Sequence, residues 1–169
     1  ILLNLLRVID NRRQDVPLLS ALCSPIGGFS LAELAEVRAA HREGSFFAAF
    51  AACAEGDGPL GVRAQNFLER LERYREESRL VPVEELLGRL LDETGFYEEM
   101  GASYGGAQRQ ANLDALLDKA HAFERGGARG VWNFLRHVEL AANNASVGAA
   151  QTVTADVVRI LTAHSSKGL

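Results

Sequence analysis

The stretch Val83-Glu84-Glu85-Leu86-Leu87-Gly88-Arg89-Leu90-Leu91 decides the fold class. Its apolar residues recur at i, i+3, i+4, i+7 and i+8, which is the spacing of one buried face of an α-helix. Pro82 precedes the stretch and Thr94-Gly95 follows it, and such residues commonly begin and end helices. The stretch therefore predicts an amphipathic helix that packs against other helices.

The same helical period recurs along most of the chain. Helices are predicted over 1–10, 62–78, 107–124 and 131–142, with shorter helices beginning after Asp15, Ser30 and Ser45. Each of those three side chains can accept a hydrogen bond from the free N–H groups at a helix start, and Ser30 with Glu33 has the spacing of a capping box. The sequence thus predicts an all-α fold, an irregular orthogonal array of about eight helices.

The pattern changes near the end of the sequence. Residues 143–155 are small and polar without a period, which predicts a loop. Residues 156–162 are short and rich in β-branched side chains, which predicts a strand apolar enough to lie inside a sheet. The sequence contains no evident partner strand. We therefore expect this orphan C-terminal β-strand to belong to a sheet whose other strands are missing, and the chain to be a fragment.

Composition limits the classes of function. The chain has 169 residues, 47% of them hydrophobic, and a net charge of −4, which fits one globular domain with its own core. A dedicated nucleic-acid-binding domain is usually basic because it must neutralise phosphates. The acidic balance argues against a strong autonomous DNA binder but not against a local patch. No apolar run approaches the length of a membrane span, so no membrane contact is expected.

Cysteine and histidine are not spaced as metal ligands. Cys23 and Cys53 form no CxxC pair, and the four histidines are scattered, so no metal site is predicted. Both cysteines are interpreted as small buried residues. Trp132 is interpreted as a packing residue rather than a platform for base stacking.

The most specific pattern is Thr162-Ala163-His164-Ser165-Ser166-Lys167-Gly168-Leu169. A strand followed by hydroxyl side chains, a cationic side chain and glycine N–H groups can bind phosphates. The order Ser-Lys-Gly is not that of a Walker A loop, which needs Gly-Lys-Ser/Thr after a glycine-rich run. The sequence contains no Walker A loop, so the isolated chain is predicted to be inactive as an ATPase, with no catalytic residue of its own.

This terminal motif resembles the T-x-H-x-[AS]-K-G-L-E motif of superfamily-1A DNA helicases of the UvrD, PcrA, Rep and RecB type. Thr162, His164, Ser166, Lys167 and Gly168 stand at matching positions. The resemblance implies that these residues link the motor site to DNA in an intact helicase.

Two earlier stretches resemble the same family in the same order. Ser24-Pro25-Ile26-Gly27-Gly28-Phe29-Ser30 resembles a turn of the helicase-nuclease branch, with adjacent glycines where UvrD-like relatives hold a Gly-Ile-Gly turn that contacts duplex backbone. Gly27 and Gly28 are therefore candidate duplex contacts, and a tight turn before a capped helix is the alternative. Residues 105–114 resemble the R-x-x-N-L segment of a late helix. Arg109 and Asn112 are expected there as structural hydrogen-bonding residues, with a DNA contact as the alternative.

The resemblance implies an arrangement of domains and a function. Residues 1–10 would belong to motor subdomain 2A, residues 11–155 to a helical domain like the family's 2B insertion, and residues 156–169 to the return into 2A. The residues of the two glycine-containing stretches are most similar to the corresponding residues of AddA-type subunits of bacterial helicase-nucleases. Such a parent uses ATP and Mg²⁺ to act on a junction of single strand and duplex, with a partner subunit, in cytoplasmic double-strand-break repair and recombination. The fragment itself is expected to bind no cofactor and to contact DNA or the partner.

An independent all-helical interaction or DNA-binding regulatory module is the alternative. Residues 25–41 can be interpreted as a turn and a recognition helix, but Glu33 and Glu36 near the start of that helix would repel phosphate. A further alternative, a metal-free helical enzyme, would need paired carboxylates. Glu84/Glu85 and similar pairs are adjacent in sequence and do not share a helix face, so they are interpreted as surface charges.

Overall fold

The computed structural model describes residues 1–144, with side chains as far as Ala142. All the regular secondary structure in this part is helical. The nine helices of this part are α1 (Leu2–Asp10), α2 (Asp15–Leu22), α3 (Leu31–Ala40), α4 (Phe46–Ala54), α5 (Pro59–Glu77), α6 (Val83–Thr94), α7 (Phe96–Ala102), α8 (Gly106–Arg125) and α9 (Val131–Asn144). The all-α prediction is confirmed for these residues. The predicted loop begins two residues too early, because α9 continues to Asn144. The rest of that loop and the orphan strand lie outside the described residues.

Helix α1 is the central element of the described fold. Leu5, Leu6 and Val8 are each no more than 1% exposed, because apolar residues occupy most of its circumference. The helix packs against α2, α5 and α9. It therefore connects two sets of helices, which we call the first helix group (α1–α5) and the second helix group (α6–α9).

A cluster of aromatic rings forms the core of the first helix group. Phe29, Phe50 and Phe67 meet edge to face, with ring centroids 5.2 to 6.2 Å apart. Edge-to-face contact places the positive ring edge against the negative face of its neighbour and stabilises the pair. These contacts fix α4 and α5 against the turn that precedes α3.

The second helix group is built on the amphipathic face predicted for α6. All five of its apolar residues are at most 4% exposed. Gly95, with φ +60°, ends α6 in a left-handed conformation that glycine adopts without strain. The short helix α7 follows directly. It is the element that the sequence pattern did not predict, because seven residues are too few to show a period.

The predicted capping residues are confirmed in two of three cases. Ser30 and Glu33 form the reciprocal capping box of α3, and Ser45 accepts a hydrogen bond from the backbone N–H of Ala48 at 3.2 Å. Asp15 was predicted to cap α2, which is wrong. It is the first residue of that helix, and its Oδ1 accepts a hydrogen bond from the N–H of Phe46 at 2.9 Å, at the start of α4.

Two predictions about burial are also wrong. Cys23 is exposed at the end of α2 and Cys53 is only half-buried. Trp132 is 55% exposed. The buried face of α9 contains Val131, Phe134 and Leu135, and at 3.6 residues per turn Trp132 points well away from that face.

Candidate nucleic-acid interface

The turn between α2 and α3 requires both of its glycines. A Cβ at Gly27 would lie 2.4 Å from the carbonyl oxygen of Leu22, so only glycine fits so close to α2. Gly28 has φ +70°, where a side chain would be strained. The local backbone alone thus accounts for both residues that were proposed as duplex contacts.

The N–H groups of this turn are already used within it. Gly27 N and Gly28 N donate to the carbonyl oxygen of Ser24 at 3.0 and 2.7 Å. The buried hydroxyl of Ser24 donates to Ala21 O at 2.6 Å and accepts from Ile26 N at 3.2 Å. A phosphate at this turn would have to be bound by other donors. The duplex contact of Gly27 and Gly28 stays a prediction, and the geometry favours the alternative of a tight turn.

Two arginines of α5 hold the turn from the other side. Arg63 donates to Gly28 O at 2.5 Å and forms an ion pair with Glu33, and Arg70 donates to Ile26 O at 3.2 Å. Hydrogen bonds from the Ser30 backbone and hydroxyl, and then from Arg63, lower the pKa of Glu33. Of the charges beside the turn, Arg63 and Glu33 are therefore paired with each other.

Arg109 and Asn112 lie near the start of α8 and are exposed. Arg109 Nη1 lies 3.9 Å from the sulfur of Met100, and Asn112 Oδ1 accepts a weak hydrogen bond from Gln108 at 3.3 Å. Helix α8 packs on α6, α7 and α9, whereas α3, which follows the glycine turn, packs on α4. The two candidate regions thus lie in different helix groups.

The terminal motif lies outside the described residues. The proposed roles of Thr162, His164, Ser166, Lys167 and Gly168 stay predictions based on the sequence resemblance.

A polar cleft that the sequence did not predict lies where the two helix groups meet. It has a volume of about 450 Å³ and is lined by the end of α1, the segment from α5 into α6, and the start of α9. Arg75, Arg79 and Arg129 line it together with Ser78 and Trp132. We call it the arginine cleft.

The acidic residues of the arginine cleft are Glu124 and Asp10. Glu124 Oε1 accepts a hydrogen bond from the N–H of Val83 at 2.5 Å, so this carboxylate is engaged at the start of α6. Burial raises the pKa of Asp10, and the positive charge of Arg75 opposes that shift. Arg75 lies 3.6 Å from Glu72, and its buried Nε has no hydrogen-bond partner among the described residues.

The other two cations of the cleft are available to solvent. Arg79 and Arg129 are exposed, and within residues 1–144 neither side chain forms an ion pair. Trp132 lines both this cleft and a second one, which Arg7, Arg136 and Glu139 also line. The guanidinium carbon of Arg136 is 5.6 Å from the Trp132 ring centroid.

Sequence reasoning missed the arginine cleft for a clear reason. Arg79 and Arg129 are far apart in sequence and belong to no motif, so only tertiary packing, in which α1 contacts both α5 and α9, brings them to one place. One signal was present. Trp132 directly follows Val131, the first apolar residue of its helix, and adjacent helical positions point in different directions. That placement favours one buried and one exposed residue.

Nothing in the described part supports a metal site or a membrane-spanning helix. Among residues 1–144, no group of three or more histidine, cysteine or acidic side chains could hold a metal ion. No helix of this part is both long enough and apolar enough to cross a membrane.

Comparison with known proteins gives one consistent result. No protein-family model matches the chain. It is 44% identical over 170 residues to the AddA subunit of the ATP-dependent helicase/nuclease of Desulforudis audaxviator. It is 41% identical over 171 residues to that of Alkaliphilus metalliredigens, and 42% identical over 174 residues to that of Anoxybacillus flavithermus. These matches cover 99 to 100% of the chain but only 14% of each relative.

By sequence the chain is therefore similar to one segment of the ATP-dependent helicase/nucleases. Within that class all three relatives are AddA subunits, and the chain is homologous along its length to one segment of AddA. The predicted resemblance to AddA-type subunits is confirmed.

Proposed function

We propose that the chain is a segment of the AddA subunit of a bacterial ATP-dependent helicase/nuclease and works there as an accessory helical domain. The observation that carries this proposal is the similarity, at 38 to 44% identity, to AddA subunits over nearly the whole chain. The whole subunit would bind ATP and Mg²⁺, act on a junction of single-stranded and duplex DNA with a partner subunit, and serve double-strand-break repair and recombination in the cytoplasm.

The domain arrangement is part of this proposal. Residues 11–155 would form the 2B-like domain, and residues 1–10 and 156–169 would connect it to motor subdomain 2A. Two connections to a motor would allow such a domain to rotate as a body. The terminal motif, with Lys167 as its cation, would couple the motor to DNA, and the segment by itself would not hydrolyse ATP.

A comparison of the segment with the whole subunit tests the proposal. Fork-shaped DNA is titrated at several salt concentrations with the segment and with a protein of full AddA length, and ATP hydrolysis is measured in parallel. We expect only the long protein to hydrolyse ATP, and Lys167→Ala in it to reduce DNA-stimulated hydrolysis by roughly tenfold or more, because a charge-assisted contact is lost.

The chain provides a matched control for this experiment. Lys119 is exposed on α8, and Lys119→Ala should leave hydrolysis unchanged. If the segment alone binds forks as tightly as the long protein, with a steep salt dependence, the alternative of a self-contained DNA-binding module is correct. If the long protein neither binds forks nor hydrolyses ATP, the proposed function is wrong.

A further inference from the structure

We propose that the arginine cleft is a binding site for single-stranded DNA, in which Arg79 and Arg129 bind phosphates and Trp132 stacks on a base. This inference rests on the proposed function for the choice of DNA as the ligand. The cleft itself is defined only by the packing of the described residues.

The first argument is the distribution of charge. The chain as a whole is acidic, with a net charge of −4, yet three arginines line this one cleft. Of its two carboxylates, Glu124 is held by the backbone of Val83. Two exposed guanidinium groups without a carboxylate partner in the described part are suited to the bidentate binding of phosphate oxygens.

The second argument is the position of α9. This helix begins inside the cleft, and Val131, Trp132 and Asn133 of its first turn all line it. The N–H groups at the start of a helix carry a partial positive charge, which favours an anion beside them. The helix start thus reinforces the field of the arginines at the same place.

The third argument is the exposed indole. A tryptophan that is 55% exposed leaves part of its ring accessible to a ligand. Trp132 lines the cleft, and the guanidinium of Arg136 lies over its ring, 5.6 Å from the centroid. Aromatic rings next to cations are the usual platform for unpaired bases, whereas the bases of a duplex are already stacked. The combination therefore favours a single strand over a duplex.

Trp132 also provides the readout, because it is the only tryptophan in the chain. The intact chain is titrated at low salt with an oligothymidylate of about twelve nucleotides, a length suited to one such site. We expect quenching of the tryptophan fluorescence that saturates, because a base stacks on the ring. The logarithm of the association constant should fall linearly with the logarithm of salt concentration.

Charge-reversal variants locate the binding site. Arg79→Glu and Arg129→Glu should each weaken binding by roughly tenfold or more and should reduce the steepness of the salt dependence by about 0.7 per lost phosphate contact. The control is Arg42→Glu, which makes the same change of net charge at an exposed residue outside the cleft. Because distant surface charges are screened, we expect it to change binding by less than about twofold.

Substitution of the tryptophan tests the stacking contact. Binding of a dye-labelled oligothymidylate is followed by anisotropy, so that the variants need no tryptophan signal. Trp132→Ala should weaken binding by roughly tenfold, and Trp132→Phe should restore most of it, because a smaller aromatic ring still stacks. The side chain is largely exposed, so circular dichroism should show an unchanged fold for both.

The outcomes separate this inference from the proposed function. If Arg42→Glu weakens binding as much as the cleft variants, or if the fluorescence does not change, the cleft proposal is wrong even when the long protein remains an active helicase. If an acidic peptide quenches Trp132 as strongly as the oligonucleotide, the cleft binds a protein partner and the DNA assignment is wrong. If the cleft variants lose oligonucleotide binding while the long protein lacks ATPase activity, the cleft proposal stands and the proposed function fails.

Discussion

Tyr74 shows how a single residue can join apolar burial with a charged network. Its ring is only 3% exposed on α5, while its hydroxyl donates to Glu93 Oε2 on α6 at 2.9 Å. The same carboxylate oxygen accepts from Arg73 at 2.5 Å. Burial, followed by the hydrogen bond to Glu93 and the negative charge of that residue, raises the pKa of Tyr74 to about 12 from its ordinary value of 10.

We expect this residue to produce a pH dependence at alkaline pH. A pKa raised in the folded state contributes stability that is fully present below about pH 10 and is lost as pH rises through about 12. Tyr74→Phe should lower the free energy of unfolding by about 1 kcal/mol at neutral pH, and this difference from the native chain should shrink across that window. Urea unfolding at a series of pH values measures both effects.

The control for that prediction is Tyr104→Phe. Tyr104 is fully exposed, so the loss of its hydroxyl should change neither the stability nor its pH dependence. Equal behaviour of the two variants would show that the bond between Tyr74 and Glu93 contributes nothing in solution.

At the scale of helices, the start of α6 depends on a residue from another helix. Its N-cap is Pro82, which has no side-chain acceptor, and the N–H of Val83 instead donates to Glu124 of α8. Similarly, the N–H of Phe46 at the start of α4 donates to Asp15 at the beginning of α2. Caps supplied from a distant position connect the formation of one helix to the packing of another.

Removal of the distant cap should destabilise the protein although alanine favours helices. Glu124→Ala should lower the free energy of unfolding by about 1 kcal/mol, the usual cost of a lost N-cap. Asp118→Ala, at an exposed position of the same helix, is the matched control and should have little effect. Thermal unfolding of both variants tests this difference in stability. Equal transition temperatures would contradict the assigned role of Glu124.

These two caps also show what the sequence could predict. The capping box of Ser30 and Glu33 was predictable because all its atoms lie within one turn. The role of Glu124 was not, because its partner is 41 residues away. Distance along the chain also decided the two sites. The glycine turn is local and was recognised as a turn, whereas the cations of the arginine cleft are brought together only by tertiary packing. The terminal motif resembles a helicase motif in sequence, but its residues lie outside the described structure.

At the scale of the whole described fold, α1 holds the two helix groups together. Leu6 is fully buried in it, and the helix packs against members of both groups. The ion pair of Arg7 with Glu139, at 2.9 Å, adds a contact from α1 to α9, but it is largely exposed and contributes little. The apolar face of α1 therefore connects the groups together with the bonds from Tyr74 and Arg73 of α5 to Glu93 of α6.

We expect a destabilising substitution in α1 to destabilise both helix groups. Leu6→Ala should lower the free energy of unfolding by about 2–5 kcal/mol, because a buried leucine leaves a cavity. Amide exchange in α4 and in α8 should accelerate together. Leu140→Ala, at a residue that is 53% exposed, is the control. Faster exchange confined to one helix group would show that α1 does not couple them.

The unequal exposure of the two cysteines has a consequence for spectroscopy. Cys23 is exposed in the first helix group, whereas Cys53 is half-covered and burial raises the pKa of its thiol, which reduces the reactive thiolate. A maleimide dye should therefore attach first at Cys23. Trp132 in the second helix group is the single natural donor for energy transfer to that dye. The native chain thus contains a molecular ruler between its two helix groups, and their separation can be followed in solution without replacing any residue.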